Sequence, residues 1–168
     1  EGTIMIDGGS PKMADKFTKA LQELRIKPEE IQLMIITHGH WDHIGSAKGI
    51  KEITGAKIAM HHRDKDCLEK SLKRVPPGIT PWGIMFSTMA LMFTSFIHIP
   101  ATKVDVVLGD EGLSLAEYGI PGKVLHTPGH SSGSVSVALE TGDIFVGDLA
   151  MNKFPLRLTP GLPILAED

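Results

Sequence analysis

The sequence predicts an α/β protein in which sheets carry helices on their outer sides. Its first half alternates short apolar strands with helical patterns. Its second half is a run of short strands separated by Gly, Pro and Asp that closes in a hairpin. Of its 168 residues, 42% are hydrophobic and 22% charged, the balance of a globular protein with a real core. That length suits a single domain over 1–168 and is too short for two.

The elements follow in order. Thr3–Ile6 is an apolar strand that ends at Asp7-Gly8-Gly9, where glycine permits a sharp turn. Ser10 as N-cap and Pro11 in the first turn start a helix. Met13, Phe17, Ala20, Leu21 and Leu24 mark its buried face. A helical turn at Lys27-Pro28-Glu29-Glu30 leads into the strand Leu33–Thr37. After the polar loop His38–His43, a helix carries Ile44, Ala47, Ile50 and Ile53 on one side until Gly55 stops it. Lys57–Met60 is the next strand, ending at His61-His62, and a charged helix runs from Arg63 to Ser71. Val104–Leu108, Leu113–Ala116, Lys123–Thr127, Ser134–Leu139 and Ile144–Val146 are strands. Glu140-Thr141-Gly142-Asp143 turns the last two into a hairpin.

The formal net charge of −3 gives no reason to expect a nucleic-acid partner. One cysteine, Cys67, cannot form an internal disulfide, and its place on a charged helix reads as inert. The start shows no basic, apolar leader, so the expected location is cytoplasmic. The chain opens inside a strand and stops in Thr159-Pro160-Gly161-Leu162-Pro163-Ile164-Leu165, which suggests a fragment.

One segment stands apart: an apolar insertion at about 75–103, whose stretch Trp82–Ile99 contains no Asp, Glu, Lys or Arg. Its length is at the edge of a bilayer span. Gly83, Ser87, Thr88, Thr94, Ser95 and His98 weaken that reading, and Pro76, Pro77, Pro81 and Pro100 fence the segment in. A buried or interface helix is the plain expectation, and a Met-rich lid over the substrate the functional one. Homo-oligomers could form through 82–99 or through an open sheet edge.

The sharpest chemical signal is Thr37-His38-Gly39-His40-Trp41-Asp42-His43, directly after an apolar strand. Imidazole and carboxylate suit zinc and its neighbours. His38 and His40 share a side while the backbone stays extended. Asp42 and His43, being adjacent, diverge and can serve a second ion. A lone histidine is usually an ordinary packed side chain, but this cluster at a strand end costs desolvation unless something binds it. His126-Thr127-Pro128-Gly129-His130-Ser131-Ser132-Gly133-Ser134 is a second strand end with a polar turn, and Gly147-Asp148 a third. Asp7-Gly8-Gly9 repeats the pattern near the start.

Taken in this order, Asp7, HGHWDH, GHSSGS and Gly147-Asp148 resemble the metallo-β-lactamase superfamily, especially its glyoxalase II-like hydrolases, from the first strand to about Pro163. The resemblance implies a four-layer αββα sandwich with the metals at one edge of the two sheets. It implies that His38, His40 and His130 hold a first metal. Asp42, His43 and Asp148 contribute to a second, and Asp7 supports the site from behind. Members also carry a later histidine that completes the second site, and none follows His130 here. Either the chain is incomplete at its C-terminus or the second ion has fewer protein ligands.

The expected cofactors are therefore two divalent metal ions, zinc first, with iron or manganese as alternates. The expected activity is hydrolysis of a small-molecule thioester, lactone or related ester by a hydroxide that the metals activate. Asp42 would orient the nucleophile and pass a proton to the leaving group. Alternatives are di-iron redox or oxygen chemistry, against which His40 argues, and a non-catalytic, degenerate domain. His61 and His62 read as surface or supporting residues, with a cleft contact as the lesser alternative. His98 reads as a lid residue, His126 as facing the sheet or supporting His130, and Trp41 as part of the rim. Ser131, Ser132 and Ser134 read as turn and strand-start residues rather than nucleophiles.

Overall fold

A computed structural model describes residues 2–152, 160, 161, 163 and 165–167. Four strands, β1 (Thr3–Ile6), β2 (Ile31–Ile35), β3 (Lys57–His61) and β4 (Val106–Leu108), pair in that order to form a wholly parallel sheet. Four more, β5 (Leu113–Ser114), β6 (Gly122–His126), β7 (Val135–Leu139) and β8 (Ile144–Phe145), form an antiparallel one. A short ribbon joins β9 (Met151–Asn152) and β10 (Pro160–Gly161).

A parallel sheet must bury both faces, and the alternation along β2 does so. Leu33 and Ile35 point one way, with Ala59 and Leu108, and meet Val124, Val135 and Val137 of the second sheet. Met34 and Ile36, with Ile58 and Met60, point the other way and pack on Ile44, Ala47, Ile50 and Leu68. The helices α2 (Trp41–Ile44), α3 (Ala47–Thr54) and α4 (Lys65–Glu69) supply these last side chains. Helices, first sheet and second sheet thus stack as the α, β and β layers of an αββα sandwich.

Local signals act as their chemistry requires. Gly55, at φ 73°, ends α3 in the left-handed cap that glycine adopts without strain. Gly142, at φ 97°, turns β7 into β8, and the Thr141 hydroxyl donates to Asp143. One start differs from expectation. Helix α1 spans Ala14–Leu24 with Met13 as N-cap, not Ser10. The Ser46 hydroxyl takes the capping role from afar, accepting the Met13 N–H at 2.8 Å and donating to the Ser10 carbonyl. Of the expected apolar face of α1, Leu21 is buried, whereas Ala20 and Leu24 are exposed.

The insertion forms α5 (Pro81–Phe93), capped by the Thr80 side chain, which accepts the Gly83 N–H. It is apolar all round, and Met92, Phe93 and Phe96 lie largely in the open. Among the described residues, no helix is long and apolar enough to cross a membrane.

Because β1 to β4 are parallel, their C-terminal ends reach one edge, where Asp7, Thr37, His61 and Leu108 emerge. The Val135 N–H donates to the Thr37 carbonyl at 2.8 Å, fixing the second sheet to that edge. Leu33, with no exposed surface, sits where the sheets face each other. Replacing Leu33 with Ala should therefore lower stability by about 2–5 kcal/mol in urea unfolding; a change below about 1 kcal/mol would contradict this packing.

Candidate metal centre

Three chain segments meet at the strand-end edge. The backbone remains extended to His40 (φ −84°, ψ 151°) before α2 begins, so His38 and His40 turn to the same side. Their rings lie 4.6 Å apart, and His130 stands 4.7 Å from each. One ring nitrogen from each of the three falls within 4.8 Å of the other two. His38, His43 and Asp148 form a second such group. Asp148 faces both groups, with Oδ1 at 3.4 Å from His43 Nε2 and Oδ2 at 3.6 Å from His130 Nε2. Asp42 lies outside both groups; its nearer oxygen is 3.9 Å from His43 Nε2, and its side chain is partly exposed.

The hydrogen bonds behind the rings fix which nitrogens are bare. Asp7 accepts the Thr37 N–H at 2.7 Å and the His43 Nδ1–H at 2.8 Å, leaving His43 Nε2 toward Asp148. The Thr37 hydroxyl donates to Asp7 and so accepts from His38 Nδ1 at 3.1 Å. His38 Nε2 then carries a lone pair, and this buried atom has no hydrogen-bond partner. His130 Nδ1 donates to the Leu165 carbonyl at 2.7 Å, so Nε2 turns a lone pair toward the cluster, where it accepts the His40 Nδ1–H at 2.9 Å. A ring held through one nitrogen with the other aimed inward is how metal-ligating histidines are oriented. The residues therefore fit divalent cations.

The electrostatics agree with that fit. Burial, followed by the neighbouring His43, His40 and His130 rings, holds His38 far below the ordinary histidine range. Burial and His130 push His40 down to about 4. Burial opposes charge on His43 too, yet its hydrogen bonds to Asp148 and Asp7 outweigh it and raise the pKa to about 10. The His43 hydrogen bond in turn holds Asp148 below the usual carboxylate range. Two neutral rings and one imidazolium thus stand side by side, and in the metal-free protein a proton on His43 balances Asp7 and Asp148.

A cleft of about 100 Å³ opens onto the cluster, with His40, Trp41, Asp42, His130 and Asp148 on its floor and Arg74, Phe86 and Ala90 on its wall. Trp41, expected at the rim, lines the cleft. Helix α5 contributes to the wall, while His61 and His62 do not line the cleft. A larger depression of about 500 Å³ on the second sheet contains no histidine and no such cluster. His126 does not back His130; it stacks on His61 and bonds the Ser132 carbonyl. Cys67 is fully buried, and burial pushes its thiol up to about 11, so it stays a neutral packing residue.

One residue escaped the sequence patterns. Asp64, 1% exposed, accepts the Gly39 N–H at 2.9 Å and the Ser131 hydroxyl at 2.7 Å on a single oxygen. It ties the loop of His38 and His40 to the loop of His130. The fit is close: a Cβ at Gly133 would meet the Asp64 carboxylate carbon at 2.6 Å. Within the charged run Arg63-Asp64-Lys65-Asp66 nothing marks it, because only the fold places it under both loops.

Comparison with known proteins gives the family. The model of the metallo-beta-lactamase superfamily matches residues 1–166, and the chain belongs to that superfamily. The hydroxyacylglutathione hydrolase GloC of Haemophilus influenzae is 28% identical over 164 residues, covering 92% of this chain and 67% of its own length. The beta-lactamase-like protein 2 homolog of Drosophila melanogaster is 26% identical over 151 residues, covering 89% of this chain and 44% of its own length. A metallo-beta-lactamase of Cronobacter sakazakii superposes with a TM-score of 0.67 at 23% identity, over 92% of this chain and 55% of that one. The chain thus spans about half to two thirds of the length of the relatives it matches.

The depressed histidines set a pH dependence. His38 and His40 are neutral in the fold but take a proton near the ordinary value of 6.5 when unfolded. Acidification then favours the unfolded state, starting near pH 6.5 and, for His40, levelling off near pH 4. The urea midpoint of metal-free protein should fall across that window, and less steeply in His40→Gln. Equal slopes in the two proteins would contradict the assignment.

Proposed function

We propose that the chain is the metal-binding part of a hydrolase that cleaves thioesters, lactones or related esters with two divalent metal ions, zinc first. The supporting observation is that two ligand groups share His38 while Asp148 turns one oxygen to each. His38, His40 and His130 would hold one ion, and His43, Asp148 and Asp42 the other. When bound, such ions supply Lewis acidity toward a carbonyl oxygen and toward water.

The chain's own residues do the rest. Thr37 and Asp7 fix the tautomers of His38 and His43 and hold both rings still. Asp42, partly exposed and lining the cleft, takes a proton from the attacking water and returns it to the departing alkoxide or thiolate. Phe86 and Ala90 keep bulk water from the reacting carbonyl, while Arg74 offers a positive charge to an anionic substrate group. A hydroxyacylglutathione is a thioester, so the name of the Haemophilus influenzae relative favours the acyl–sulfur bond among these substrates.

The test is metal analysis with a panel of thioesters and lactones, on wild type and His38→Ala. Wild type should carry at least two zinc ions per chain and hydrolyse at least one member of the panel. His38→Ala should lose metal and at least about a hundredfold in kcat/KM while its circular dichroism is unchanged. Turnover retained in the metal-poor variant would refute the proposal.

A further inference from the structure

A second cluster of imidazoles lies at the same edge, outside the cleft. His61 ends β3, His62 follows it, Asp110 stands just beyond β4, and His126 ends β6. The cluster therefore bridges the two sheets. One donor atom from each of His61, His62 and Asp110 lies within 4.8 Å of the other two. The His61 ring lies 4.4 Å from that of His62 and stacks on that of His126 at 4.2 Å.

Proton placement shows what is missing there. A carbonyl only accepts, so His62 Nδ1, 3.3 Å from the Leu108 carbonyl, carries the ring proton and leaves Nε2 bare. His126 Nε2 lies 3.0 Å from the Ser132 carbonyl and 3.4 Å from the Arg63 guanidinium, and the shorter contact places the ring proton on Nε2 and leaves Nδ1 bare. That bare nitrogen faces Asp110 Oδ1 at 3.6 Å, two acceptors without a hydrogen between them. A cation beside Oδ1 converts this repulsion into attraction. Arg63 bonds the other oxygen, Oδ2, at 2.8 Å, so it orients the carboxylate and leaves Oδ1 to the imidazoles.

We propose that His61, His62 and Asp110, with His126 alongside, form a separate site for a divalent transition-metal cation of the zinc class that staples the second sheet to the first. It shares no residue with either group in the cleft. Imidazole with one carboxylate is a donor set for zinc, nickel or copper, whereas calcium and magnesium favour oxygen alone. Holding His62 and His126 through backbone carbonyls is the orientation such ligands require. His61 is fully buried, and burial with the His126 and His62 rings keeps it below the ordinary histidine pKa, hence neutral. Its Nε2 proton now points at Asp110 Oδ1, 3.1 Å away. When a cation takes that place the proton moves to Nδ1, and the long bond that Nδ1 accepts from the Arg63 N–H, 3.4 Å, is given up.

The test counts zinc in chelator-stripped protein that has been reloaded with zinc and freed of excess by gel filtration. His62 is exposed, so His62→Gln should fold normally and carry about one ion fewer than wild type, as should Asp110→Asn. A His38→Ala, His130→Ala double variant, which lacks the shared ligand and one further histidine of the cleft, should still retain about one ion, and lose it when His62→Gln is added. These counts do not depend on any activity. Equal zinc in wild type, His62→Gln and Asp110→Asn, or no zinc left in the double variant, would overturn the proposal.

Discussion

The structure depends on the desolvation of a cluster of imidazoles. His38 is 1% exposed, and its Nε2 has no partner although the ring is surrounded by three others. An unpaired buried polar atom costs on the order of 1–3 kcal/mol, and a protonated ring in that place costs more. Burial first, and then the neighbouring rings, keep His38 from relieving this by taking a proton. A divalent cation removes the penalty at once, because it supplies the missing partner and the missing charge.

The fold is organised to bear that cost. Parallel strands deliver Asp7, Thr37 and His61 to one edge, and the Thr37 carbonyl binds the first residue of β7 there. The ligands then follow immediately, on short loops tied to two carboxylates. Asp7 holds Thr37 and His43, while Asp64 holds Gly39 and Ser131. Two acidic residues, neither of them in the cleft, thus position side chains from three segments. Preorganisation of this kind gives a metal site its geometry before any ion arrives.

Much of this was legible in the sequence, for physical reasons. The strand Ile31–Ile35 is legible as a short apolar run because it is buried on both faces, and the helix Ala47–Thr54 as a period because it buries a single stripe. The two-residue step from His38 to His40 encodes a shared side as long as the chain is extended, and it is. The rest depends on distance in space rather than along the chain. Nothing near Ser10 reveals that Ser46 will cap α1, and nothing in the run Arg63-Asp64-Lys65-Asp66 reveals that Asp64 will sit beneath two loops. The pairing of His61 with Asp110 and His126 also requires the two sheets to be in register first.

The superfamily model and the solved neighbour give the frame, but the cation cluster is a property of these side chains. Its most direct test is a crystal grown with zinc, with anomalous scattering recorded above and below the zinc edge. The account predicts a peak about 2.0–2.1 Å from nitrogens of His38, His40 and His130 together. Full occupancy of the crystal by zinc elsewhere, with no peak among those three rings, would contradict it.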